Sequence, residues 1–104
     1  MQLMAPSERA DPPALDGSKE LVRGSGLINA DVDGEVVIMS LSEGCYFGLD
    51  NIASDIWKRL ESGCTVAELL DSLARDYDAT REAIENDVSE LLLRMAERDL
   101  VVIR

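Results

Sequence analysis

Few residue types in this chain can do chemistry. It has no histidine, which removes the usual general base, the usual zinc ligand and any Ser-His or Cys-His nucleophilic pair. Its two cysteines, Cys45 and Cys64, lack the third and fourth ligands of a structural zinc site. They are also too few for a disulfide framework. A bridge between them is geometrically possible, but two free thiols, as in a reducing cytosol, are the expectation. Cys45 would need a neighbouring cation to act as a nucleophile, whereas its sequence neighbours are Glu43 and Asp50. It therefore reads as a small packing residue of a sheet. Cys64 precedes a helix start, a position that lowers a thiol pKa mildly. Gly24, Gly26 and Gly34 fit no strand-loop-helix phosphate cradle. With 21 acidic residues in 104, any pairing of carboxylates is uninformative. A protein that is not an enzyme, with no metal and no cofactor, is the expectation.

Charge narrows the partners. Twenty-one acids against ten bases give a net charge of −11, and Leu27 to Asp50 carries Asp31, Asp33, Glu35, Glu43 and Asp50 without a single base. That field repels phosphate backbones, so nucleic acid is a poor partner. It keeps a small protein soluble and attracts basic segments. No basic start leads into a signal-like apolar run, and no apolar stretch approaches the ~20 residues of a membrane span. No membrane role and a cytoplasmic location are expected.

The elements that would position a site follow from periodicity. Residues 1–19, with Pro6, Pro12 and Pro13 and no hydrophobic period, read as a flexible tail. Residues 20–104 read as a single domain, with Glu20 to Gly26 ambiguous between strand and loop. Leu27 to Val32 alternates like a half-buried strand, and Val36 to Leu41 is apolar enough for a central strand covered on both faces. Asp33-Gly34 between them predicts a two-residue hairpin turn. Ser42-Glu43-Gly44 predicts a second turn into a third strand, Cys45 to Leu49, with Cys45, Phe47 and Leu49 on one face and Tyr46 and Gly48 on the other. Short links force an antiparallel meander. Three helices follow: Asn51 to Glu61 capped by Asp50 or Asn51, a second started by the Thr65–Glu68 capping box, and a third from Thr80 to Arg98. In the last, Ile84, Val88, Leu91 and Met95 share one stripe, Leu92 widens it on one flank, and Asp87 and Arg94 border the other. Trp57 is expected in the core. Leu100 to Ile103 closes the chain as a short strand or a segment lying on the core.

The third strand is the feature without a bland explanation. Cys45-Tyr46-Phe47-Gly48 carries no Lys, no Pro and no charge, the devices that keep an edge strand from pairing with another chain. Either a terminus of this chain or a partner strand covers it.

The same run resembles the PqqD family, and more widely the precursor-peptide recognition elements of ribosomally made, post-translationally modified peptides. The resemblance rests on Gly44, Tyr46-Phe47, Leu49-Asp50, Ala53 and Ile56-Trp57, then Leu60, Gly63 and Thr65-Val66-Ala67-Glu68-Leu69. Tyr77-Asp78, Asp87-Val88 and Leu100-Val101 complete it. Asp50 stands where the family usually has Asn, and Asp99 where a glycine commonly ends the last helix. The Tyr-Phe-Gly-Leu strand is most similar to stand-alone members from lasso-peptide clusters. The resemblance implies an α+β winged helix-turn-helix fold, a three-stranded antiparallel sheet packed on three helices. It implies a non-catalytic peptide chaperone that binds a precursor leader peptide by β-strand addition and presents it to a leader peptidase (a cysteine protease) and an ATP-dependent cyclase. The binding residues expected are Cys45, Tyr46, Phe47 and Gly48 on the strand, and Asp87, Val88, Leu91 and Arg94 on the helix. Val88 and Leu91 are equally well read as core, and periodicity leaves open whether Leu92 lines the groove instead. Two rivals remain at this point: a winged-helix DNA-binding regulator, opposed by the acidic last helix, and a structural subunit of a larger processing enzyme.

Overall fold

In the computed structural model, which describes residues 15–104, the elements run β1 (Glu20–Arg23), β2 (Leu27–Val32), β3 (Glu35–Ser40), β4 (Cys45–Gly48), α1 (Asn51–Arg59), β5 (Cys64–Thr65), α2 (Val66–Asp76), α3 (Arg81–Glu97) and β6 (Val101–Ile103). The meander β2-β3-β4 is antiparallel in that order. Asp33 and Gly34 both take left-handed backbone, φ 55° and 89°, the primed turn whose twist suits a two-residue hairpin.

Among the described residues, only one face of this sheet is covered. Val36, Ile38 and Ser40 are buried, while Val37 and Met39 on the other face are half-exposed. β3 is therefore not sandwiched between two layers, as its apolar run suggested. β2 is not half-buried either: Ile28 and Val32 are 55% and 54% exposed, because the hairpin extends past the helices and only Leu27 packs against the core.

A second antiparallel sheet, β5-β1-β6, brings together segments from both ends of the chain. Leu21, fully buried, pairs with Cys64 on one side and Ile103 on the other. Gly24 is required beside it, since a Cβ there would lie 2.1 Å from the Asp99 carbonyl oxygen. Asp99 itself sits at φ 60°, the conformation for which a glycine is commoner at a helix end.

The expected tail splits in two. Residues 1–14 lie outside the described residues. Residues 15–19 are held: Leu15 N donates to the Ser89 hydroxyl (3.3 Å), and the carbonyls of Gly17 and Lys19 accept from Ala67 N and Val66 N. The latter pair supplements the Thr65–Glu68 capping box at the start of α2, where both reciprocal bonds form. Asp50 caps α1 by accepting from Ala53 N, and Thr80 caps α3 by accepting from Ala83 N.

The helices pack around Trp57, Ile56, Leu60, Leu69, Leu70 and Leu92, each no more than 1% exposed. Arg23 closes this core from β1: its guanidinium lies 4.4 Å from the centroid of the Trp57 ring and donates twice to the Trp57 carbonyl at the end of α1. The buried arc of α3 is Val88, Ser89, Leu92 and Met95. Leu91 is left half-exposed beside it.

Candidate functional site

β4 pairs with β3 on one side, and among the described residues no strand pairs with the other. Its hydrogen-bonding parity follows from one contact. Leu49 N donates to Val36 O (2.9 Å), and the register pairs Phe47 with Ile38 and Cys45 with Ser40. In an antiparallel ladder hydrogen-bonded and non-hydrogen-bonded pairs alternate, so Cys45 and Phe47 turn their N–H and C=O groups toward β3. Tyr46 and Gly48 turn theirs toward the free edge. The edge thus offers two donors and two acceptors.

The far end of β4 is fixed by Ser54. Its buried hydroxyl accepts from Val36 N (2.8 Å) and donates to Leu49 O (3.1 Å). One side chain of α1 thereby locks strand and helix together.

Side-chain directions divide the strand. Phe47 faces the helices and packs against the core, with the Arg98 guanidinium 5.8 Å from its ring centroid. Tyr46, 70% exposed, stands on the outer face opposite Met39. A Cβ on Gly48 would meet nothing within 4 Å.

Alongside runs α3. Two adjoining cavities share Ile52, Asp87 and Val88 and form one groove. The first, about 240 Å³, lies between Asp50 and Ile52 on one side and Val88, Leu91 and Arg94 on the other, with Asp87 and Glu90 also lining it. The second, about 180 Å³, is mostly apolar, opens to solvent on one side and is lined by Ile52, Leu73, Tyr77, Ile84, Asp87 and Val88. Along α3, Ile84 to Arg94 spans roughly 15 Å at 1.5 Å per residue, the length of about four or five extended residues.

Of the residues expected from sequence, Asp87, Val88, Leu91 and Arg94 line this groove, and Cys45, Tyr46, Phe47 and Gly48 form the edge strand. Leu92, fully buried, belongs to the core and not to the groove. Sequence reading missed Ile52, Leu73, Tyr77 and Ile84 as lining and Arg98 as the cation over Phe47. Ile52 and Tyr77 sit on the apolar sides of their helices, a pattern that predicts burial, yet they are 41% and 46% exposed. Only the incomplete closure of the three helices reveals them.

The polar chemistry of the region is structural. Tyr77 Oη donates to Asp55 Oδ2 (2.6 Å), and Arg59 donates to both oxygens of Asp55 (2.8 and 3.2 Å) while also pairing with Asp76 (2.8 Å). Partial burial pushes the Asp55 carboxyl up, but the bonds from Arg59 and Tyr77 outweigh it and hold the group below the usual aspartate value. The bond to Asp55 pushes Tyr77 up. Burial, then the neighbouring Glu43, pushes the Cys45 thiol up against the pull of Arg98. Burial and the charge of Glu68 also push Cys64 up. The lowering expected for Cys64 at a helix start is overridden because the side chain is half-buried beside a carboxylate. Both thiols are free and, with raised pKa values, weak nucleophiles. Among the described residues no three His, Cys, Asp or Glu side chains converge as a metal site, and no helix is long and apolar enough to cross a membrane.

Comparison with known proteins gives this geometry a context. The structure is similar to that of TbiB1, solved in complex with the TbiA(beta) leader peptide, with a TM-score of 0.72, 34% identity, and coverage of 77% of this chain and 93% of that one. Its fold is also similar to that of a lasso peptide synthetase B1 complexed with its leader peptide, with a TM-score of 0.69, 23% identity and coverage of 79% and 96%. A search of curated proteins found no significant match. Residues 35–101, from β3 through the first residue of β6, match the family described as coenzyme PQQ synthesis protein D (PqqD). Edge strand, groove and winged helix-turn-helix core all fall within that span, and the chain belongs to the PqqD family.

Proposed function

We propose that this chain is a non-catalytic leader-binding protein of a ribosomal-peptide pathway of the lasso type. The leader of a precursor adds as a fourth strand along β4, and the chain presents the precursor to the pathway's leader peptidase and ATP-dependent cyclase. The observation that carries the reading is the conjunction of a strand edge unpaired among the described residues with a groove, apolar at one end, about four or five extended residues long. Two similar structures were solved with leader peptides bound, which supports the same assignment.

Parity makes the mechanism specific. Leader residues opposite Tyr46 and Gly48 exchange backbone hydrogen bonds with them. Directly opposed residues share a face, so the leader residues opposite Cys45 and Phe47 direct their side chains inward, toward α3. Four backbone hydrogen bonds contribute about 2–6 kcal/mol together. That is too little to hold a disordered chain, which must lose conformational entropy on ordering. Selectivity and most of the affinity therefore come from side chains entering the groove. A cavity of about 180 Å³ takes one aromatic or branched aliphatic group, since an apolar hole of roughly 150 Å³ already admits benzene.

Amide hydrogen exchange with and without the TbiA(beta) leader tests this. Cys45 and Phe47 amides are protected in both states, whereas Tyr46 and Gly48 amides exchange fast alone and slow down on binding. Binding with no new protection at Tyr46 and Gly48 would show that the leader uses another surface. The DNA-binding alternative finds no support in α3, which carries Glu82, Glu85, Asp87, Glu90 and Glu97 against Arg81 and Arg94.

A further inference from the structure

We infer that Asp55 is a positioning residue for the leader groove: through the Tyr77 hydroxyl it fixes the ring that forms the end wall of the apolar cavity. The inference rests on the leader-binding reading and deepens it. A tyrosine that is 46% exposed at a helix end has too little packing to hold one rotamer, and exposed side chains hop between rotamers in picoseconds to nanoseconds. Tyr77 is placed differently. Its hydroxyl donates to Asp55 Oδ2 at 2.6 Å, and that carboxylate is itself immobilised by a two-pronged bond from Arg59, a fork geometry that fixes direction as well as distance. Arg59 reaches on to Asp76, the residue before Tyr77, so the same guanidinium ties the end of α2 to α1.

The backbone around the ring is equally constrained. Tyr77 N donates to Leu73 O and Ala79 N to Ala74 O, Asp78 takes φ 53°, and Thr80 caps α3 directly afterwards. With main chain and hydroxyl both held, the ring faces Ile52, Ile84 and Val88 as a fixed wall. Partly exposed ion pairs contribute little to stability, and the three helices already share a well-packed core. What the Asp55–Arg59 pair adds is a defined cavity shape before the ligand arrives, so that binding does not have to freeze the ring.

The test uses the full chain, its Tyr77→Phe, Asp55→Ala and Asp55→Asn variants and the Asp55→Ala/Tyr77→Phe double variant. The rotamer of residue 77 is read in the free protein from three-bond NMR couplings to its Cγ. Affinity for the TbiA(beta) leader is read by fluorescence anisotropy. One rotamer is expected in the wild type and averaging in Asp55→Ala and Tyr77→Phe. Leader affinity is expected to fall about two- to tenfold in each, the cost of freezing one side chain on binding, and no further in the double variant. Asp55→Asn, whose amide oxygen still accepts, is expected to recover part of the loss. A single rotamer retained in Asp55→Ala overturns the inference, as does averaging with unchanged affinity. A wild-type protein that does not bind the leader at all would overturn the leader-binding reading itself, a result distinct from either.

Discussion

Replacing Gly48 by proline isolates strand addition from every other way of binding a peptide. Gly48 pairs with Val37 at a position where, by the alternation that Leu49 establishes, its N–H points away from β3. Proline there removes no ladder bond within the protein, and edge positions with an outward N–H are where sheets tolerate it. A side chain also meets no obstacle, because nothing lies within 4 Å of a Cβ at this residue. The melting temperature of Gly48→Pro is therefore expected within a few degrees of wild type. A leader strand, by contrast, loses one hydrogen bond, about 1 kcal/mol, and keeps a carbonyl stranded in a partly dry groove, about 1–3 kcal/mol more. The sum, about 2–4 kcal/mol, is a loss of roughly 30- to 1,000-fold in Kd. Gly48→Ala is the matched control: it keeps the N–H and should bind within about threefold of wild type. Fluorescence anisotropy with a labelled TbiA(beta) leader measures all three. If Gly48→Pro binds as tightly as Gly48→Ala, no peptide strand pairs with this edge. Phe47→Pro would be a poor probe, since its N–H faces Ile38 and its ring packs on the core, so it would unsettle the sheet whatever the leader does.

Other outcomes follow from neighbouring features. Leu92→Ala, at a fully buried position, should cost about 2–5 kcal/mol in urea unfolding, while half-exposed Leu91→Ala costs less but weakens leader binding more. Ser54→Ala leaves the buried Val36 N–H and Leu49 carbonyl without partners. It should destabilise by about 2–4 kcal/mol and raise exchange of the Leu49 amide beyond the global change. The Asp55 carboxyl is held below the ordinary aspartate value, so its contribution is fully present above about pH 5 and is lost as pH falls through the depressed folded value. Asp55→Asn, uncharged at every pH, should flatten the acid limb of a stability-against-pH curve and lower stability at neutral pH by the same amount, so that the two curves meet below about pH 4.

Local chemistry made much of this readable in the sequence. The Asp33-Gly34 turn, the Thr65–Glu68 box and the cap at Asp50, one of two residues offered for it, each need only a few adjacent residues, and each sits in the structure where those residues place it. Asp87, Val88, Leu91 and Arg94 were legible as one face of a helix. β1 was not, because four residues hold too little alternation and its partners lie at Cys64–Thr65 and Val101–Ile103. Burial was misjudged for β2 and β3 for a related reason: an apolar residue says it tolerates cover, not that any neighbour exists to supply it. The cavity beside Tyr77 escaped notice on the same ground, since it is a shortfall of packing between α1, α2 and α3, and a shortfall leaves no motif.

The exposed side of the hairpin sheet carries Ile28, Met39 and Tyr46 in a row across three strands. A visiting strand on β4 would lengthen that row by one member, because pleating turns every second side chain of the visitor outward, next to Tyr46. Loaded and empty states would then differ in what they show to a third molecule, with half of the guest's own lettering left on display.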